Sequence, residues 1–151
     1  MKTRVNLLEK GQDGLKPLFG MGAYLKRSKI ERTLLELINF RVSQINGCAY
    51  CLDMHFKDAI ALGMPEQKLY MASAWKEAPI YAEREKAALA WAEAVNQNHV
   101  PQEVFEEVKK QLSGEELIDL TLAVAAVSTW NKLNLAFAPL EPGSYAVGQF
   151  A

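Results

Sequence analysis

Cysteine and histidine are scarce, with two of each in 151 residues, so no disulfide framework of the secreted kind can hold this chain together. One-sided charge is absent too. Lys and Arg number 17 against 18 Asp and Glu, the net charge is −1, and no basic run occurs. Nucleic acid is thereby excluded as a principal partner. Long apolar runs are also missing. The longest uncharged stretch, Leu120 to Asn131, is too short to span a membrane and carries Ser128, Thr129 and Asn131. The opening residues Met1 to Lys10 show no apolar h-region and no small-residue cleavage site, which makes the cytoplasm the expected compartment. No segment alternates as a half-buried strand does, and no repeat or low-complexity tract interrupts the chain.

What remains is helical spacing. Hydrophobic residues make up 50% and charged residues 23%, a composition that fits one soluble domain with a real core. Leu34, Ile38, Val42 and Ile45 form one stripe, widened by Leu35, Leu37 and Phe40, and predict a helix over 30–45 buried on much of its surface. Asn46-Gly47 breaks that pattern, and a new helix runs from Cys48 to Gly63 with Leu52, Phe56, Ala59 and Ile60 as its stripe. Pro65, Pro79 and Pro101 each suit a first helical turn, predicting helices to about Trp75, Val95 and Leu112. Ser113-Gly114-Glu115-Glu116 has the form of a capping box ahead of a helix over 117–135. The expected fold is a single all-α domain spanning 1–151. It comprises an arm and short helix over 1–28, a helical core over 30–135, and a tail over 136–151 whose Tyr145, Val147 and Phe150 dock on the body or on a neighbouring subunit.

Both cysteines lie in Gly47-Cys48-Ala49-Tyr50-Cys51-Leu52-Asp53-Met54-His55. On a helix, Cys48, Cys51 and His55 fall within an arc of roughly 60°, so two thiols and an imidazole share one face. That arrangement suits a dithiol that forms a disulfide reversibly beside a proton acceptor. A helix N-terminus favours negative charge on Cys48, while Cys51 is four residues from His55; spacing alone leaves open which sulfur reacts first. Two other readings compete. The pair could be small buried hydrophobes, the usual fate of free cysteine. It could also bind zinc with His55, but structural zinc takes four ligands, and His99 lies in the polar stretch Asn96 to His99. No metal and no cofactor is expected. Tyr50, between the cysteines, either gates the pair or covers it, and Gly47 allows a sharp turn and a close approach to the backbone.

Glu36, then eleven residues, then Cys48-Ala49-Tyr50-Cys51 and His55 resembles the AhpD-type alkylhydroperoxidases of the carboxymuconolactone decarboxylase superfamily. Arg41 to Gly47 and Trp130-Asn131-Lys132-Leu133 are similar to the same family, so the likeness runs from about Glu31 to Gly143. The resemblance implies an all-helical subunit and a homo-oligomer, a trimer or a hexamer. It implies that organic hydroperoxide oxidises Cys51 to sulfenic acid and that Cys48 supplies a proton and then resolves it as a disulfide. His55 and Glu36 become a proton relay, and a dithiol reductant of the lipoyl or thioredoxin-like kind resets the pair. Some peroxidase members carry a histidine just before the second cysteine, where this chain has Tyr50. The decarboxylases generally lack the cysteine pair, so its presence argues against lactone decarboxylation.

Without that likeness, Glu36 shares a helix face with Arg32, Asn39 and Ser43 and reads as a solvated charge. Arg41 lies on the apolar side, where it either meets a buried carboxylate or snorkels to an edge, and it is given no catalytic role. The rival functional reading is a non-enzymatic helical oligomer whose dithiol senses redox state or binds zinc.

Overall fold

The computed structural model describes residues 3–150; Met1, Lys2 and Ala151, at the ends of the expected arm and tail, lie outside them. Among the described residues all regular structure is helical. The helices are α1 (Leu7–Lys10), α2 (Gln12–Leu25), α3 (Arg32–Asn46), α4 (Ala49–Ala61), α5 (Glu66–Tyr70), α6 (Glu83–Asn96), α7 (Gln102–Val108) and α8 (Gly114–Phe137). No helix of the described residues is long and apolar enough to cross a membrane.

α3 is the central element and packs against α4, α6 and α8. Leu34, Leu35, Leu37, Ile38, Phe40 and Val42 are all buried, which covers most of its circumference. Its end is a Schellman motif: the Gly47 N–H donates to the Gln44 carbonyl at 3.3 Å and the Cys48 N–H to the Ser43 carbonyl at 3.1 Å. Gly47 takes φ 71° there, a left-handed conformation that a Cβ disfavours. A Cβ at Gly47 would meet nothing within 4 Å, so the backbone angle and not space is what calls for glycine. The chain therefore reverses within two residues and delivers Cys48 as the N-cap of α4.

α8 opens on the expected capping box. Ser113 Oγ accepts the Glu116 N–H at 3.2 Å, and the Glu116 carboxylate accepts the Ser113 N–H at 2.7 Å. α2 lies along α8, where Phe19 meets Trp130 with ring centroids 5.2 Å apart and the Tyr24 hydroxyl donates to the buried Asp119 at 2.6 Å.

Several boundaries differ from the expected ones. α6 starts at Glu83, four residues past Pro79, because Ala82 is extended and its N–H is held by the Glu85 carboxylate at 2.8 Å. The intervening Tyr81 is buried and donates its hydroxyl to the Lys68 carbonyl at 2.6 Å, which fixes a turn where Pro79 suggested helix. The segment after Pro65 is α5 followed by a 3₁₀ turn over Ala72–Ala74, and α7 stops at Val108. Ile45 and Ile60, expected in apolar stripes, are exposed.

Candidate redox site

Cys48 and Cys51 are joined by a disulfide, with Cα atoms 5.3 Å apart. Cys48 precedes the helix with extended backbone, and its Sγ accepts the Cys51 N–H at 3.4 Å, as an N-cap side chain does. The pair thus sits where α4 exposes its unpaired N–H groups. Both cysteines are about 1% exposed.

His55, one turn beyond Cys51, is buried, and its Nδ1 lies 2.7 Å from a Glu36 carboxylate oxygen on α3. A carboxylate only accepts, so the proton resides on Nδ1 and the basic lone pair of a neutral ring is on Nε2. The Glu36 and His55 side chains are 14% and 10% exposed, so Glu36 is not a solvated surface charge. α4 covers the face of α3 that its polar residues suggested was open to water. Ser43, on the same face, is fully buried.

The C-terminal segment covers the outer side of α4. The Tyr145 ring meets Tyr50 edge-on at 6.4 Å, and its hydroxyl contacts both carboxylate oxygens of Asp58 at 2.9 Å. Lys57 Nζ donates to the Gly143 carbonyl at 3.2 Å, the Tyr145 carbonyl at 3.0 Å and Asp53 at 2.8 Å. Burial, helped by the neighbouring Asp58 carboxylate, pushes the Tyr145 phenol up to about 12. Burial also raises Asp58 above the ordinary aspartate range. Tyr50 is buried as well, which raises its phenol, and its hydroxyl meets no hydrogen-bond partner among the described residues. Val147 and Phe150 remain exposed, although Phe150 stacks on Tyr145.

Behind the disulfide runs a polar layer that sequence reasoning did not identify. Ser128, Asn131 and Asn134 recur every third residue on α8 and face the α3–α4 junction. Asn131, fully buried, accepts from Asn46 Nδ2 at 2.9 Å and donates to Ser43 Oγ at 3.0 Å. Asn96 of α6 donates to Asn46 Oδ1 at 3.0 Å and accepts from Ser128 Oγ at 2.8 Å. Asn134 Nδ2 reaches Cys51 Sγ at 3.5 Å. The polar residues within the long uncharged stretch were the available signal, but the identity of their partners required the fold.

Of the four residues singled out from the sequence, Cys48 and Cys51 are bonded to each other and Glu36 and His55 meet directly, the two pairs one turn apart along α4. Arg41 is not among them. It pairs with Glu93 at 2.8 Å, and the same carboxylate oxygen accepts the Trp75 indole N–H at 2.9 Å. His99 is exposed on the α6–α7 connection. Among the described residues no group of three or more His, Cys, Asp or Glu side chains converges to hold a metal ion.

The sequence and the overall fold have counterparts among known proteins. The model of the carboxymuconolactone decarboxylase family matches residues 15–94. The uncharacterised protein YdfG of Bacillus subtilis is 40% identical over 139 residues, covering 90% of this chain and 95% of its own length. A crystal structure of a protein of unknown function from Agrobacterium tumefaciens, suggested to be the antioxidant defence protein AhpD, superposes with a TM-score of 0.88 at 35% identity. That alignment covers 93% of this chain and 99% of that one. The debrominase Bmp8 superposes with a TM-score of 0.80 at 25% identity, covering 90% of this chain and 75% of that one. The chain belongs to the carboxymuconolactone decarboxylase family, as an AhpD-like member with an all-helical fold.

Proposed function

We propose that the protein is a thiol-dependent peroxidase that reduces organic hydroperoxides through Cys48 and Cys51. The observation that carries this reading is a Cys-x-x-Cys disulfide at a helix N-terminus, one turn before a buried histidine whose Nδ1 is held by a carboxylate. In the reduced enzyme, His55 takes the Cys51 proton and Glu36 stabilises the resulting imidazolium. The Cys51 thiolate attacks the hydroperoxide, an S–O bond forms as the O–O bond breaks, and Cys48 protonates the departing alkoxide. The Cys48 thiolate then attacks the sulfenic sulfur. The S–S bond forms, and the leaving hydroxide takes the imidazolium proton as water. One hydroperoxide and two thiols become one alcohol, one water and one disulfide. A dithiol of the lipoyl or thioredoxin-like class returns both electrons by thiol–disulfide exchange.

The active form in this reading is a homo-oligomer, a trimer or a hexamer. Support comes from large apolar side chains left on the surface, among them Leu8, Phe19 and Ile118, the last 64% exposed. Light scattering that finds a monomer at micromolar concentration removes this part of the proposal.

The deciding experiment is turnover of cumene hydroperoxide with dihydrolipoamide as electron donor. Alcohol production in proportion to dithiol consumed, lost in Cys51→Ser, is the expected result. In Cys48→Ser a sulfenic acid at Cys51 should accumulate and be trapped by dimedone. A disulfide that cycles without consuming hydroperoxide assigns the chain to redox sensing. One tightly held zinc per reduced chain assigns it to metal binding.

A further inference from the structure

Thiol chemistry at this pair needs negative charge on sulfurs that are almost completely buried, and burial opposes that charge. Each sulfur should therefore have a donor. Cys48 Sγ has the backbone N–H of Cys51 at 3.4 Å, a contact that any N-cap side chain makes. Cys51 Sγ has a side chain from another helix: Asn134 Nδ2 on α8, at 3.5 Å. We propose that Asn134 is the N–H donor that stabilises negative charge on Cys51 Sγ whenever the disulfide opens. The inference deepens the redox reading and rests on it only in requiring that the pair cycles between disulfide and dithiol.

Two observations and one chemical argument support it. The orientation of the amide is fixed, because Asn134 Nδ2 also donates to the Trp130 carbonyl at 3.1 Å. A carbonyl only accepts, so a flipped amide would set oxygen against oxygen; nitrogen must face both the carbonyl and the sulfur. One amide hydrogen goes to each. The backbone at Asn134 is held in place as well, since Asn131, one turn earlier, is locked to Asn46 and Ser43. Finally, the contact discriminates between redox states. A disulfide sulfur is a weak acceptor and a thiolate a strong one, so the bond strengthens as charge arrives. When a reductant thiolate attacks Cys48 Sγ, the new S–S bond forms there and the Cys48–Cys51 bond breaks. The electron pair then leaves on Cys51 Sγ, which faces the Asn134 amide.

The test is alkylation of the fully reduced full-length protein by iodoacetamide across pH 5 to 10, with Cys48 and Cys51 followed separately by peptide mass spectrometry. Asn134→Leu keeps the shape and removes the N–H without adding a charge; Asn134→Ala removes both. In each, the Cys51 profile should move up by about one pH unit, making Cys51 alkylation about tenfold slower near neutrality, and the Cys48 profile should move less. A merely structural Asn134 would leave the Cys51 midpoint where it is. Should neither variant fold, ¹⁵N NMR of the reduced wild-type chain decides. The Asn134 side-chain amide resonances must shift with the same midpoint as Cys51 alkylation, and stationary resonances overturn the proposal, as do superimposed alkylation profiles. Alkylation needs no peroxide, so failure of the peroxidase reading and failure of this one are read separately.

Discussion

Replacing Glu36 by Gln tests the relay with the least disturbance, because the amide keeps an acceptor for the His55 Nδ1–H and loses only the charge. The contact is 2.7 Å, and both side chains are at least five-sixths buried, so water cannot take over the carboxylate's part. A hydrogen bond to a charged group contributes about 1.5–3 kcal/mol and a neutral one about 1 kcal/mol, a difference of roughly 1 kcal/mol or slightly more. If His55 carries positive charge in the transition state, Glu36→Gln should slow oxidation of Cys51 by about five- to tenfold. His55→Ala removes the base itself and should cost about a hundredfold, the lower end for general-base assistance, since the helix N-terminus still favours the thiolate. The assay is the rate of thiol loss with excess cumene hydroperoxide in single-turnover mode, from about pH 5 to pH 9. Both deficits should shrink at the alkaline end, where hydroxide ionises the thiol unaided. Wild-type and mutant profiles that coincide across that range would remove Glu36 and His55 from the mechanism.

Asn131→Leu strands the fully buried Ser43 hydroxyl and leaves the half-buried Asn46 amide only its longer 3.4 Å contacts to Asn96 and Ser128, and should lower stability by about 1–3 kcal/mol in urea unfolding; a loss under about 0.5 kcal/mol would mean that the layer relaxes freely. Arg84 and the Ser113 cap hold the Glu116 carboxyl down to about 2 from an ordinary 4.5. Because the folded value lies below the unfolded one, that stability is complete above pH 4.5 and disappears as the pH falls towards 2. Wild type should exceed Glu116→Gln by about 1–3 kcal/mol near pH 6, after allowing for partial exposure, with the gap closing near pH 2. Tyr145→Ala removes the ring over Tyr50 and the hydroxyl on Asp58, so the Cys48–Cys51 disulfide should be reduced several-fold faster by a small phosphine; an unchanged rate would show that the tail does not limit access.

Much of the fold was legible because its strongest elements carry redundant signals. α3 combines a broad apolar stripe with Asn46-Gly47 at its end, and α8 combines a capping box with a long apolar run. The weaker boundaries failed for a definite reason. Pro79 has the character of a first helical residue, but the start of α6 is set by Glu85 reaching back to the backbone of Ala82, a cap with no polar side chain of its own to announce it. Ile45 and Ile60 match a helical stripe and are nonetheless exposed, since periodicity gives the direction of a face and not what covers it. The same gap hid the nature of the Glu36 face. By pattern it is polar, and only the packing of α4 against α3 turns it into a buried carboxylate–imidazole pair. Asn134 was out of reach for a further reason: its contact with Cys51 joins positions 83 residues apart, and no local spacing encodes it.

The polar layer bears on why the pair sits where it does. Ser43, Asn46, Asn96, Ser128 and Asn131 occupy the junction of three helices, where apolar side chains could have packed at no loss of stability. Hydrophobic contacts are tolerant of small shifts, whereas a chain of donors and acceptors accepts only one register. Asn46 is the last residue of α3, and fixing its side chain from α6 and α8 fixes the left-handed turn at Gly47 that follows. That turn sets the extended backbone of Cys48, and the extended backbone is what lets its sulfur meet both the Cys51 N–H and the Cys51 sulfur. Loosening the layer should therefore show first in the dithiol, as a broadened spread of Cys48 and Cys51 environments in NMR, before any change in the helices. Uniform line widths at the cysteines of Asn131→Leu, with helical content intact, would refute that order of events.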